Sequence, residues 1–335
     1  MTKVCISFFY GQVATRLLYL LTGITVLSLA AWVYYPGVHG PELLDDRSSV
    51  TKIDDLQESP ERALDYVFGD RSGIFGRAIP MSTFVLERLL SDRGLPVSKA
   101  VNIFLHLFNG CLVMALLWRL FRFAQFPGYQ WLAVTLGCFW LLHPLLVSTV
   151  LYVVQRMAML ATSFMLLGCL CYVAWRLKLI AGAFSWWPLL MVLTCLVLGL
   201  LSKENAIVLV PMIVLMEVLW FQCAGPGGDT IRWLRNTAYS LAALGVTGVF
   251  GALSLRYDWL AARFYSRPFT LEERLLTESR ILWDYVGQWC APNLAKMGLY
   301  HDDIVISRSL FEPLSTLASS LAWVLVVINA AVSYT

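Results

Sequence analysis

The sequence has few charged residues for its length. Of its 335 residues, 14% are charged and 59% are hydrophobic, and the mean hydropathy is +0.68. A soluble domain carries about 25% charged and about 45–50% apolar residues. A single water-soluble domain, a disordered chain and a collagen-like chain are therefore excluded. The 25 basic and 22 acidic residues give a formal net charge of +3, a balance that argues against a nucleic-acid-binding protein.

The sequence also lacks the motifs of several common enzyme classes. It contains no His-Glu-x-x-His, Walker, Cys-x-x-Cys or Gly-x-Ser-x-Gly motif, and no Asp-x-Asp spacing of the kind that holds a divalent cation beside a phosphate. Its four histidines are scattered along the chain, so a zinc cluster is not expected. We therefore predict that the protein uses neither a metal ion nor another cofactor.

Long hydrophobic runs are what the sequence has in abundance. A membrane-spanning helix needs about 20 mostly apolar residues. The sequence predicts an all-α polytopic membrane protein with eight spans, at about 17–35, 98–118, 130–150, 152–175, 183–202, 204–223, 236–255 and 314–333. A cleaved signal peptide is the alternative for the first run, because Ser28-Leu29-Ala30 resembles a cleavage site. The apolar run continues through Val33, which favours a span.

Basic residues between the predicted spans indicate the orientation. Lysines and arginines concentrate on one side of the membrane, and positive charge is typical of the cytoplasmic side. An inside amino terminus then places two large loops outside, 36–97 and 256–313, of which only the second contains a cysteine, Cys290, so no outer disulfide framework is expected. Apolar residues at helical spacing between 275 and 286 predict an amphipathic helix at the membrane interface.

Ionisable residues lie at the predicted outer membrane boundary rather than at the centres of the spans. A charge in hydrocarbon costs roughly 2.5–3.5 kcal/mol, so charges near the membrane core are usually paired or functional. Transporters more often place such residues near the bilayer midplane. The pattern therefore favours an enzyme that acts on a lipid-linked substrate. The boundary residues are Asp45, Asp46, Arg156, Lys203 and Glu204.

Three adjacent pairs of carboxylates offer a general base. In such a pair one group can take a proton from an acceptor hydroxyl while the other fixes the geometry. We favour Asp45-Asp46, which follows the first span by about ten residues, although a helix start or a solvated loop also explains it. Asp54-Asp55 lies farther along the polar loop and is typical of a solvated segment. Asp302-Asp303, beside His301 in the last outer loop, is a second candidate.

Basic residues at the same boundary suit a phosphate group. Arg156 presents a fork of donors and Lys203 a point charge. Snorkelling to lipid phosphates is the alternative for both, and Lys203 and Glu204 can also neutralise each other. Arg274 and Arg280, in the predicted amphipathic helix, can likewise hold an anionic headgroup, and a helix that only rests on the membrane explains them equally well. In the second span Asn102, His106 and Asn109 share one helical face, where polar contacts between helices are favoured over a ligand site.

Several motifs in order along the chain resemble those of the bacterial GT-C-fold membrane glycosyltransferases. These enzymes are relatives of the transmembrane-and-tetratricopeptide O-mannosyltransferases and of the Pseudomonas type IV pilin glycosyltransferases. The resemblance covers about residues 10–320 and is more specific for the superfamily than for the sugar. It rests on Gly76-Arg77 to Ser82, Asn102 to Asn109, His143-Pro144, Val150 to Met157 with Gln155-Arg156, Leu200 to Asn205, Leu276 to Arg280, Tyr285, Pro292, His301-Asp302-Asp303 and Ser307-Arg308.

The resemblance implies a GT-C-like bundle with interfacial helices in two periplasmic loops. It also implies a polyprenyl-phosphate sugar as donor and an inverting transfer, in which the Asp45-Asp46 pair carries the catalytic base. Arg156 and Lys203 would neutralise the departing phosphate, with Arg274 and Arg280 as further phosphate ligands. Further candidate substrate-site residues on the same motifs are Arg77, His106, Gln155, Glu204, His301 and Asp302.

The acceptor and the setting follow from the same resemblance. We expect an enzyme of the bacterial inner membrane that transfers one sugar to a Ser or Thr of an exported protein, such as a type IV pilin. Modification of lipid A or another glycolipid is the alternative. From other classes, a lipid-linked sugar flippase and a non-catalytic scaffold also stay open. The chain ends soon after the last predicted span and carries no tetratricopeptide repeats, so the part that holds the acceptor is expected to be missing or supplied otherwise.

Overall fold

The computed structural model describes residues 2–46, 53, 56, 59–69, 73–91, 94–262, 264–298 and 304–334, without the side chains of residues 2–16 and 331–334. Over these residues the chain is helical, and the single isolated β-bridge joins Ala224 to Thr230. The all-α prediction is therefore confirmed for the described part. Its α-helices are α1 Thr2–Tyr34, α2 Ala63–Gly69, α3 Ala78–Leu90, α4 Leu95–Phe123, α5 Tyr129–Leu141, α6 Leu146–Leu151, α7 Arg156–Ile180, α8 Trp187–Leu200, α9 Leu209–Leu215, α10 Arg232–Leu255, α11 Tyr257–Ala262, α12 Leu271–Cys290 and α13 Leu314–Tyr334.

Five helical segments of the described chain are long and apolar enough to cross a membrane. They are Leu17–His39, Leu95–Phe123, Val153–Ile180, Glu204–Phe221 and Arg232–Leu255. Each coincides with one of the predicted spans, so the protein is a helical membrane protein. The remaining three predicted spans correspond to shorter apolar helices, α5 with 13 residues, Trp187–Leu200 and Leu314–Ala330. The number eight therefore stays a prediction.

Two of the predicted apolar runs are not single α-helices. The predicted span at 130–150 divides into α5 and α6 around His143-Pro144. The run from 204 begins as a 3-10 helix, Glu204–Val208, becomes α-helical as α9, and continues as a π-helix, Met216–Phe221. Pro211 lies in the first turn of α9, where its missing N–H is tolerated, but it cannot donate to an earlier carbonyl.

The chain forms two compact units, Met1–Arg232 and Trp233–Thr335. In the first unit α4 packs against both α5 and α7, and α7 packs against α8. Polar groups join these helices. Asn109 Nδ2 donates to Met159 O at 3.0 Å and Asn109 Oδ1 accepts from Ser163 Oγ at 2.6 Å. His106 Nε2 lies 2.9 Å from Leu141 O. The predicted polar face of the second span is therefore a helix-to-helix contact.

The second unit is organised around the contact between α12 and α13. A capping box fixes the start of α12, because Thr270 and Glu273 each bond the other's main-chain N–H. Trp283 Nε1 donates to Ser319 O at 3.1 Å, and Trp323 Nε1 donates to Ser279 O at 3.0 Å. The helix predicted from the spacing at 275–286 is confirmed. Its position at a membrane interface stays a prediction.

A buried ion pair joins α7 to the π-helix in the first unit. Arg176 Nε donates to Glu217 Oε2 at 2.7 Å, and Arg176 Nη2 donates to Ala224 O at 2.7 Å. The Tyr172 hydroxyl donates to the same carboxylate oxygen. Both charged side chains are almost completely buried. Removing one partner of such a pair leaves an uncompensated buried charge, which typically costs about 3–5 kcal/mol.

We therefore expect Arg176→Met to lower the free energy of unfolding by about 3–5 kcal/mol, because Glu217 is left buried without its cation. Thermal unfolding of the purified protein in detergent measures the loss. Lys178→Met is the matched control, since Lys178 is exposed on the same helix and should change the midpoint little. The double variant Arg176→Met/Glu217→Leu should recover part of the loss. Equal midpoints for the Arg176 and Lys178 variants would contradict this account.

Candidate functional site

The acidic pair lies in a short loop that follows the first span. A 3-10 helix, Tyr35–His39, extends the span, and a turn closed by the Asp46 N–H on Leu43 O at 2.8 Å ends the loop. The two aspartates differ sharply in exposure, because the Asp45 side chain is exposed whereas Asp46 is 1% exposed. The two residues are equivalent in the sequence pattern, and the structure gives them different environments.

Asp46 is bonded to main-chain N–H groups. Its Oδ1 accepts from the Val154 N–H at 2.8 Å, and its Oδ2 accepts from the N–H groups of Val153 and Leu43 at 3.3 and 3.2 Å. Asp46 therefore satisfies the first N–H groups of the 3-10 helix Val153–Gln155, which have no partner within that helix. Burial raises the pKa of Asp46, although these hydrogen bonds and the charge of Lys99 act in the opposite direction.

Asp45 contacts Tyr152, the residue just before the same 3-10 helix. The Asp45 N–H donates to Tyr152 Oη at 2.9 Å, and the tyrosine hydroxyl also hydrogen-bonds the Asp45 carboxylate. Tyr152 is 7% exposed. Asp45 is thus an exposed carboxylate in contact with the hydroxyl group of a buried tyrosine. An exposed carboxylate can reach a substrate hydroxyl, whereas the Asp46 carboxylate is enclosed by protein.

Lys99, near the start of α4, was not singled out from the sequence. It is 1% exposed, and its Nζ donates to Gly40 O and Pro41 O at 2.8 Å each. The rule that singled out Arg156, a charge near the end of an apolar run, applies equally to this lysine. The same rule therefore could have found it.

Arg156 is completely buried at the start of α7. Its Nη2 pairs with Glu87 Oε2 at 2.8 Å and donates to Ser98 O at 2.9 Å, and its Nε donates to Asn102 Oδ1 at 2.9 Å. Its guanidinium carbon also lies 4.1 Å from the centroid of the Phe84 ring. The sequence assigned this guanidinium to a donor phosphate. The structure instead directs its N–H groups to protein acceptors, because an arginine buried here needs its charge compensated, so we do not include it in an anion site.

Two other cations are less completely paired. Lys203 Nζ lies at a long 3.4 Å from Gln155 Oε1, and Arg77 Nη1 contacts Met157 Sδ at 2.9 Å. Arg77 Nε is buried and has no hydrogen-bond partner among the described residues. Burial lowers the pKa of Lys203, and the charge of Arg77 lowers it further while Glu204 raises it. Two neighbouring cations with an unused buried donor are an environment that an anion would stabilise.

Glu204 is turned toward the loop that carries Arg77. Its Oε1 accepts from the Ile74 N–H at 3.1 Å. Gly73 has φ +127°, and a Cβ at this position would clash with Glu204 Oε1. Only glycine permits both this backbone conformation and this close approach. Glu204 therefore fixes the start of the segment 73–77 beside Lys203.

One segment, Tyr152–Met157, joins these two groups of residues. At its start the N–H groups of Val153 and Val154 bond Asp46, and Tyr152 bonds Asp45. Three residues after Tyr152, Gln155 faces Lys203. The structure thus brings the predicted Asp45, Gln155, Lys203, Glu204 and Arg77 to one region of the first unit.

Other predicted site residues are placed differently. His106 is buried, stacks on Trp140 and bonds Leu141 O, so its ring is part of the helix packing and not of a substrate site. The predicted His301 and Asp302, together with Asp303, Asp54 and Asp55, lie outside the described residues. Among the residues that are described, no group of three or more His, Cys, Asp or Glu side chains could hold a metal ion.

The two arginines predicted in the second unit have protein partners. Arg280 Nη1 donates to Val305 O at 2.8 Å and to Ser307 Oγ at 3.2 Å. Arg274 pairs with Glu278 at 2.9 Å and is half exposed. Arg274 also borders a cavity of about 350 Å³ lined mainly by Phe269, Ile281, Ile304 and Ile306. A phosphate role stays a prediction for both arginines.

We expect Gly73→Ala to displace Glu204 and release the segment 73–77. An L-residue with positive φ costs roughly 1–2 kcal/mol, and the lost bond to a carboxylate adds about 1.5–3 kcal/mol. Hydrogen exchange at the Ile74 amide should therefore increase. Gly182→Ala is the matched control, because Gly182 also has positive φ (+80°) but has open space where the alanine Cβ would lie. An unchanged Ile74 amide would contradict the role given to Glu204.

Comparison of the chain with protein-family models, curated proteins and solved structures finds no match in any of the three. The resemblance to GT-C-fold glycosyltransferases therefore depends on the sequence motifs alone. Asp45, Tyr152, Gln155, Lys203 and Arg77 are the described residues on which a functional proposal can be built.

Proposed function

We propose that the protein is a membrane glycosyltransferase of the inverting type. It moves one sugar from a polyprenyl-phosphate carrier to a Ser or Thr hydroxyl of an exported protein, such as a type IV pilin. The observation that carries the proposal is the placement of an exposed carboxylate, Asp45, and two incompletely paired cations, Arg77 and Lys203, along one short segment of the first unit.

Asp45 is the base of the proposed reaction. Its carboxylate takes the proton of the acceptor hydroxyl, and the acceptor oxygen forms a bond to the anomeric carbon of the sugar. The bond between that carbon and the phosphate oxygen breaks, and its electron pair leaves with the lipid phosphate. Attack opposite the leaving group inverts the anomeric centre. The Tyr152 hydroxyl supports this role, because its hydrogen bond fixes the direction of the carboxylate.

Arg77 and Lys203 stabilise the leaving phosphate. Negative charge develops on the phosphate oxygen as the glycosidic bond breaks, and cations held in advance lower the energy of that state. Arg77 Nε, which has no partner among the described residues, and the long contact between Lys203 and Gln155 leave donor capacity for a phosphate. The mutual repulsion of the two cations also decreases when an anion binds between them. Charge from protein cations makes a metal ion unnecessary in this mechanism.

The proposal includes a setting in the membrane. The five long apolar helices are consistent with a polytopic protein. We propose the finer arrangement predicted from the sequence, a GT-C-like bundle of eight spans with an inside amino terminus and periplasmic loops at 36–97 and 256–313. In that arrangement the Asp45 loop meets the headgroup region of the bacterial inner membrane, where a polyprenyl-phosphate donor places its phosphate.

We expect Asp45→Asn to abolish transfer, because general-base catalysis typically contributes about 10²–10⁴-fold and an amide cannot take the proton. The measurement is the intact mass of exported surface proteins from cells that carry the wild type or the variant. A sugar-sized mass should be absent only with the variant. Asp46→Asn should also lose activity, but with a lower thermal midpoint, since its amide NH2 replaces one of the two oxygens that accept from Val153 and Val154.

Expression and insertion of the Asp45 variant at wild-type levels are the control for this experiment. Transfer that persists in Asp45→Asn would refute the role of this residue as the base. An unchanged exported-protein profile with both wild type and variant would redirect the search to glycolipid acceptors and then to a transporter.

Arg77→Gln and Lys203→Gln should each weaken binding of a polyprenyl phosphate that carries no sugar by about ten- to a hundredfold, the loss expected for a hydrogen bond to a charged group. Binding is measured on the purified protein by thermophoresis in detergent. Arg122→Gln is the control, because Arg122 is an exposed cation in the last turn of α4. Equal affinities for the three variants and wild type would exclude the proposed phosphate site.

A further inference from the structure

We propose that Lys99 is a positioning residue for Asp45, acting through the loop Gly40–Asp46 and not through contact with substrate. This inference rests on the proposed function in one respect, since it takes Asp45 to be the reacting group. The contacts of Lys99 themselves do not depend on that assignment.

Lys99 fixes the first part of the loop. Its Nζ donates to two consecutive carbonyl oxygens, Gly40 O and Pro41 O, both at 2.8 Å. These bonds fasten the loop that follows the first span to the first turns of α4. The main chain and the ammonium are close together here, since a Cβ at position 40 would lie 3.2 Å from Lys99 Nζ. A buried ammonium with two carbonyl acceptors is a directed contact and not a snorkelling side chain.

Asp46 fixes the other end of the same loop. It bonds the N–H groups of Val153 and Val154, and its own N–H bonds Leu43 O. Asp45 therefore lies directly beside one anchor and four residues after the other. Its carboxylate is exposed even though the main chain on both sides is held. Tyr152 hydrogen-bonds the Asp45 side chain, and Lys99 and Asp46 hold the main chain on either side of it.

The two anchors are also coupled by charge. Lys99 and the Asp46 carboxylate attract each other, and Glu42 is a second acid that interacts with Lys99. Burial favours the neutral form of Asp46, and the ammonium opposes this effect. The Tyr152 hydroxyl also interacts with both Asp45 and Asp46. Without the Lys99 charge, Asp46 would take up a proton at a higher pH.

The consequence for activity has a definite sign. The Asp46 carboxylate must be ionised to accept strongly from Val153 and Val154, so the loop loosens as the pH falls through the pKa of Asp46. Removing Lys99 raises that pKa further. The acid limb of the pH–rate profile should therefore move to higher pH in Lys99→Met. A residue that served only to stabilise the fold would lower the rate equally at all pH values.

The first experiment compares the initial rates of the full-length wild type, Lys99→Met, Lys99→Arg and Lys178→Met as a function of pH, with the acceptor identified by intact mass. We expect Lys99→Met to lose about tenfold in kcat, with little change in KM for the donor. The acid limb of its pH–rate profile should lie at higher pH than in wild type. Lys99→Arg keeps the positive charge and the N–H donors, so the acid limb of its pH–rate profile should lie at the wild-type pH. Lys178→Met should match wild type. An unshifted limb in Lys99→Met, or an arginine variant as impaired as the methionine variant, overturns the inference.

A second experiment needs no activity. Hydrogen exchange at the Asp45 and Asp46 amides reports directly on the loop, because these amides bond Tyr152 Oη and Leu43 O. Both amides should exchange about tenfold faster in Lys99→Met than in wild type. Unchanged exchange overturns the inference whatever the enzyme does. If wild type transfers no sugar while exchange increases as expected, the proposed function fails and the positioning role of Lys99 stands.

Discussion

The need to compensate charge inside an apolar helical protein governs the first unit. Arg156 is enclosed by Glu87, Ser98 and Asn102, and these contacts connect α3, α4 and α7. The ion pair between Arg176 and Glu217 likewise connects α7 to the π-helix. A buried charge without partners is far more costly than a lost apolar contact. Each cation therefore determines which helix ends lie together, and the candidate site is built on the positions that Arg156 fixes.

The segment that begins at Tyr152 shows how packing prepares a site. Asn102 Nδ2 lies within 3.2–3.4 Å of the carbonyl oxygens of Val150, Tyr152 and Val153, while Asp46 takes the N–H groups on the same stretch. Side chains from other elements thus hydrogen-bond both the carbonyl groups and the N–H groups of this main chain. Preorganisation of this kind places reactive groups without reorganisation during the reaction. It also explains why polar side chains beside the candidate site can be structural.

Adjacent residues of one motif lie in different environments, because different neighbouring elements pack against them. Asp45 is exposed and Asp46 is buried, although a carboxylate pair looks symmetrical in sequence. Gln155 faces Lys203, whereas its neighbour Arg156 turns inward to Glu87. A turn or a 3-10 helix directs successive side chains to different sides of the chain, so only one member of each pair can reach a ligand. Which member it is depends on the neighbouring helices.

The sequence by itself determined the helical membrane class, five of the long apolar helices and a helix over residues 275–286. Length, hydropathy and helical periodicity are local properties, so these conclusions needed no tertiary information. Only the tertiary structure decided that Arg156 and His106 belong to the packing, that Asp45 rather than Asp46 is exposed, and that Lys99 holds the loop. Those outcomes depend on partners distant in sequence, such as Glu87, because the cost of burying a charge is set by whatever the fold places beside it.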